Sequence, residues 1–97
     1  MNKEHILSTL REHKPILQKK YGVIEIGLFG SFAVDEAEEK SDVDLVVTLK
    51  SDSKRLHNFL ELERYLTTIL GIKVDLGIKE NVHPVLENSI EKDLIYV

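Results

Sequence analysis

Asp42 and Asp44, in the run Ser41-Asp42-Val43-Asp44-Leu45, carry the clearest chemical meaning in this chain. Side chains two apart on a β-strand project from the same face, so the two carboxylates converge on one volume. Like charges held that close repel, and setting them beside an apolar strand adds a desolvation cost. A divalent cation removes both penalties. Carboxylate oxygens suit Mg²⁺ or Mn²⁺, hard ions that keep several waters and share their other positions with substrate phosphates. Taken alone, the pair also has a plainer reading, a turn at Ser41-Asp42 followed by a solvated aspartate at a strand start.

Ten residues before that pair stands Gly30-Ser31. Glycine directly after an apolar strand lets the backbone turn sharply and lets a ligand approach the peptide groups. If a short helix follows, its free N–H groups would face an anion, with the Ser31 hydroxyl as one more donor. The alternative is an ordinary strand-to-helix turn capped by Ser31. A phosphate cradle and a carboxylate pair this close in sequence are a rarer combination, and neither helix nor loop needs it for stability. A third carboxylate, Asp75, interrupts the apolar run Lys73-Val74-Asp75-Leu76-Gly77. An ionised group there is costly unless it is paired or holds a metal. Beside the strand of Asp44 it would complete a triad; at a sheet edge it would simply face water.

The elements that must position these groups follow from hydrophobic periodicity. Asn2 can cap a helix with Ile6, Leu7, Leu10 and Leu17 on one side, which Pro15 should kink or restart. Val23 to Phe29 reads as a strand, and Asp35 to Glu39 as an exposed short helix or loop. Val43 to Leu49 is apolar on both faces, which predicts a central strand under helices. Ser51-Asp52-Ser53 offers a turn and helix cap. Phe59, Leu62, Leu66, Ile69 and Leu70 repeat at helical spacing, and Gly71 is placed to end that helix. Ile72 to Ile78 is a third strand, and His83-Pro84 opens a last helix with Val85, Leu86, Ile90 and Leu94 inward. The pattern predicts one α/β (α+β) domain over residues 1–97, a small sheet flanked by helices.

Gly30-Ser31, the ten-residue spacing, Asp42-x-Asp44 and a later strand aspartate resemble the DNA polymerase beta-like nucleotidyltransferase superfamily. The short length resembles its minimal nucleotidyltransferase (MNT) branch. That resemblance implies a polymerase beta palm-like mixed sheet flanked by helices. It implies transfer of a nucleoside monophosphate, AMP from ATP above all, to a hydroxyl with pyrophosphate leaving. Gly30 and Ser31 would bind the nucleotide, and Asp42, Asp44 and Asp75 would be catalytic and ligate Mg²⁺ or Mn²⁺. Asp75 would also help deprotonate the acceptor. Stand-alone MNT proteins resemble antitoxins paired with a helical HEPN toxin, which implies such a partner protein here. One departure is local: where the family commonly shows a small residue and then Arg-Gly, this chain has Val34-Asp35. A cation is lost and a negative charge gained, for which Lys40, Lys50, Lys54, Arg55 or Lys73 could compensate. The competing reading is a binding module of weak or no activity that neutralises its partner by contact.

Composition narrows the remaining classes. The chain has 97 residues, 13 Lys+Arg against 17 Asp+Glu, a formal charge of −4 and no cysteine. Disulfides, thiolate zinc sites and thiol nucleophiles are excluded. Bulk-charge coating of nucleic acid is disfavoured, and a carboxylate nuclease would not need a Gly-Ser phosphate turn. No apolar run approaches the roughly 20 residues of a membrane span, and no signal-peptide stretch opens the chain, so a cytoplasmic location is expected. His5, His13, His57 and His83 lack metal-ligand spacing, and the acidic run from Asp35 to Glu39 reads as a solvated face. Tyr21, Tyr65 and Tyr96 read as core-edge aromatics. With one side of so small a sheet open, acceptor binding should come from a partner or a second copy. The apolar end, Leu94 to Val97, is expected to close the core rather than serve that interface.

Overall fold

The computed structural model describes residues 1–79 and 93–97. Helix α1 spans Lys3–Tyr21 and starts where the Asn2 side chain accepts from the His5 N–H at 2.9 Å. It runs on through Pro15, where the sequence predicts a kink or a restart. Pro15 and Arg11, four residues earlier, both face solvent, so water can serve the carbonyl that proline leaves without a donor. Leu10 and Leu17, each fully buried, hold the turns on either side of it against the sheet.

Strand β1 (Val23–Phe29) leads through a turn and loop to β2 (Val43–Leu49), both with the predicted bounds. A 3₁₀ turn at Ser51–Ser53 precedes helix α2 (Leu56–Leu70), whose N-cap is Arg55 with no side-chain cap bond. Asn58 does the tying instead, donating to the carbonyls of Tyr21 and Ser53 at 2.9 Å each. Gly71 ends α2 in the left-handed conformation, as its position predicts. Strand β3 is Val74–Ile78, two residues shorter than the apolar run, because the chain is still turning away from α2 at Ile72. A short β4 (Ile95–Tyr96) follows. The helix expected from His83-Pro84 lies outside the described residues.

The sheet order is β3-β2-β1-β4, with β2 central as expected. It is mixed: β1 pairs antiparallel with β2 and β4, while β2 and β3 run parallel. One face carries Ile26, Leu28, Val43, Leu45, Val47, Val74 and Leu76 into a single core with Ile6, Leu10, Leu17, Leu62 and Leu66 of the helices. Ile95 and Val97 pack on that core, so the chain end closes it, while Tyr96 stays 42% exposed. By strand alternation the other face presents Gly27 and Phe29 of β1, Asp44 and Val46 of β2, and Asp75 and Gly77 of β3.

Leu45 is fully buried at the middle of β2, opposite Leu28 and Leu76. Leu45→Ala is expected to cost about 2–5 kcal/mol in urea denaturation, the range for a buried leucine whose cavity cannot collapse. A loss below about 1 kcal/mol would place the core elsewhere.

Candidate active site

The site forms where the ends of three strands meet on the face away from the helices. Gly30 closes β1 with φ +76°, and the chain turns at once: the Ala33 N–H donates to the Gly30 carbonyl at 3.0 Å and the Glu36 N–H to the Ser31 carbonyl at 2.8 Å. Phe32 and Ala33 are buried in the core and anchor this turn from below, leaving Ser31 half-buried at the rim. No helix follows Ser31, so the dipole that a helix would add is absent; the turn runs into a loop over the acidic stretch. Apolar anchors were not among the signals the sequence offered for this turn, although Phe32-Ala33 stands directly after the glycine-serine pair.

Across the sheet, Phe29 pairs with Asp44 and Asp44 with Asp75. Paired residues of neighbouring strands point the same way, so Asp44 and Asp75 share one face, joined by Asp42 two residues upstream. Gly30 lies directly against this group. A β-carbon there would overlap the Asp44 carboxylate, and the left-handed backbone already disfavours any residue with one. The phosphate-turn candidate and the carboxylates are therefore one contiguous site. Five residues named from spacing, Gly30, Ser31, Asp42, Asp44 and Asp75, fall in one region of the fold.

The electrostatics carry the mark of crowding. The Asp44 carboxyl is pushed above its ordinary value by burial first, then by the charges of Asp75 and Asp42. Lys73 partly offsets them, with its Nζ 3.9 Å from an Asp42 oxygen. Among the five cations that could replace the missing arginine, Lys73 is the one placed in contact with the triad. Among the described residues no group of three or more His, Cys, Asp or Glu side chains is arranged to hold a metal ion as the structure stands. Carboxylate oxygens are the donor type that a hard divalent ion takes, and a cation beside Asp44 would offset the charges that raise it.

The Val34-Asp35 departure also has a structural account. Asp35 has φ +58°, so the position where the family commonly has glycine does require a left-handed backbone, which aspartate tolerates better than most residues. Its charge is turned to Lys3 of α1 at 3.3 Å. Nothing in the linear sequence signals that pairing, since the two residues are 32 apart.

The family model of the nucleotidyltransferase domain matches residues 10–97. A Methanocaldococcus jannaschii protein provisionally named protein adenylyltransferase MJ0128 is 50% identical over 93 residues, covering 95% of this chain and 94% of that one. A solved structure described provisionally as a minimal nucleotidyltransferase superposes with TM-score 0.81 at 30% identity, covering 98% of this chain and 95% of the other. A toxin–antitoxin crystal structure with AMP-PNP superposes with TM-score 0.69 at 25% identity over 99% and 72% of the two chains. The fold is that of a minimal nucleotidyltransferase. The chain belongs to the nucleotidyltransferase domain family. No described helix is long and apolar enough to cross a membrane.

Because Asp44 is raised in the folded chain, that chain holds the Asp44 proton more tightly than the unfolded chain does. With no cation bound, its contribution to stability therefore falls as pH rises from the ordinary value of 3.8 through the raised folded value. Asp44→Asn should melt above the parent at neutral pH in chelator, with the gap closing in acid below that window. Calorimetry showing the parent equal or higher at neutral pH would contradict the crowding.

Proposed function

We propose that this protein transfers AMP from ATP to a hydroxyl of a helical HEPN-type toxin and so acts as that toxin's antitoxin. The observation that carries the reading is the contact of Gly30 with Asp44, which joins the glycine-serine turn to the carboxylates that crowd Asp44. The adenylyltransferase name of the M. jannaschii relative and the AMP-PNP toxin–antitoxin neighbour support AMP as the group and a toxin as the acceptor.

In this mechanism Gly30 and Ser31 hold the triphosphate, the backbone close to the phosphates because glycine leaves it bare. Asp42 and Asp44 would hold Mg²⁺ or Mn²⁺, joined by Asp75. When bound, such ions neutralise phosphate charge and stabilise the entering and leaving oxygens of an in-line displacement. The acceptor oxygen forms a bond to the α-phosphorus as the bond to the β-phosphate oxygen breaks, and pyrophosphate leaves. The acceptor proton passes to the Asp75 carboxylate, the most exposed of the three and the one on the outer strand. Lys73 stands beside Asp42, where a cation can meet the phosphates that the family's arginine would otherwise meet. ATP as the substrate, Mg²⁺ dependence and a cytoplasmic setting belong to the same proposal.

The test is incubation of the chain with α-labelled ATP, Mg²⁺ and a HEPN-type toxin protein. Label should appear on that protein and fall at least about 10²-fold in Asp42→Asn/Asp44→Asn, the loss expected when groups that hold charge-stabilising ions are removed. Label that persists in the double variant would overturn the mechanism. Neutralisation of the toxin that survives in the double variant would favour the contact-only module.

A further inference from the structure

The turn that carries Ser31 is closed from its far end. The Glu36 N–H reaches back to the Ser31 carbonyl at 2.8 Å, and the residue just before it, Asp35, has φ +58°. A long backward bond behind a left-handed residue is how a helical turn is brought to a stop. Glycine takes that backbone without steric cost and aspartate does not, so the conformation alone does not call for aspartate. Its side chain does something more: it meets Lys3 Nζ at 3.3 Å. Among the described residues this is the one ion pair or side-chain hydrogen bond that ties residues 35–41 to a helix or strand.

Lys3 is built to hold its end of that contact. It opens α1, a helix fixed to the core by the fully buried Ile6 and Leu10. Its side chain is 27% exposed against 67% for Asp35, so helix is the anchor and turn the part that is held. Packing does not replace the pair, because Asn2 and Lys3 share with Phe32, Asp35 and Ala37 a cavity of about 150 Å³. The ion pair bridges helix and turn beside it. We propose that Lys3 is a positioning residue for the nucleotide turn: through Asp35 it steadies the Glu36 bond that fixes the Ser31 peptide where the triphosphate is to sit. The inference rests on the AMP-transfer reading and adds to it a residue that touches neither nucleotide nor metal. An exposed pair stabilises by little, so its loss should weaken nucleotide binding and leave the chemical step alone.

A double-mutant cycle between Lys3 and Asp35 tests it. The readouts are the Kd for AMP-PNP with Mg²⁺ by calorimetry, and KM for ATP and kcat in the labelled-ATP assay with a HEPN-type toxin. Lys3→Met should raise Kd and KM about two- to fivefold and leave kcat within about 1.5-fold of the parent, the range an exposed ion pair supports. Lys3→Arg should keep the parent values. In Asp35→Gly, where glycine holds the left-handed backbone unaided, adding Lys3→Met should change nothing further. Parent-like binding in Lys3→Met overturns the inference. An equal loss in the Asp35→Gly background also overturns it, by putting Lys3 on the nucleotide itself, as does a fall in kcat in place of the rise in KM. AMP transfer stands in each of those results. A parent chain that binds the analogue but labels no toxin overturns the AMP-transfer reading, while the Kd cycle still decides the role of Lys3. No binding of the analogue by the parent overturns both.

Discussion

Three carboxylates crowded onto one sheet face, with a β-carbon-free turn pressed against the middle one, are the constraint from which the rest of this structure follows. The fold tolerates an arrangement that costs it stability. Asp44 is desolvated and repelled by both neighbours, and Gly30 must hold a left-handed backbone to leave it room. Such local conflict in an otherwise consistent sequence marks a functional site. Among the described residues positive charge meets this region at its margin, from Lys73 at Asp42 and from Lys3 at Asp35.

The remainder of the fold holds that conflict rigid. Placing β2 at the centre buries its helix-facing residues, Val43, Leu45 and Val47, so the strand bearing Asp44 cannot slip register. A one-residue slip would send Asp44 into the core, which is why register is so strongly specified wherever one face is apolar. The turn carrying Ser31 is fixed from beneath by Phe32 and Ala33. Parallel pairing of β2 and β3 requires a crossover, and α2 provides it while closing the core over the same face.

Much of this was legible in the sequence, because the signals were local or periodic. The β1 and β2 strands, the cap at Gly71 and the central position of β2 follow from alternation and apolar content, which tertiary packing here reinforces. The convergence of Asp44 and Asp75 needed only the two strands to be neighbours. What was not legible depends on contacts distant in sequence. Lys3 finding Asp35, Lys73 finding Asp42 and the pairing of β4 with β1 have no local signature. At Pro15 the helix does not restart, because a proline rule describes a lost hydrogen bond, and on a solvent-facing turn water can cover that loss. Whether a helix follows Ser31 was left open by the sequence; two buried apolar residues, Phe32 and Ala33, hold the chain in a turn there.

The most direct measurement of the central claim is a crystal of the chain grown with Mn²⁺ and a non-hydrolysable ATP analogue, read by anomalous scattering. Manganese peaks within coordination distance of oxygens from Asp42, Asp44 and Asp75, with the triphosphate on the Gly30-Ser31 turn, are the predicted result. Analogue bound elsewhere, or the three carboxylates turned to solvent with manganese at some other position, would contradict it.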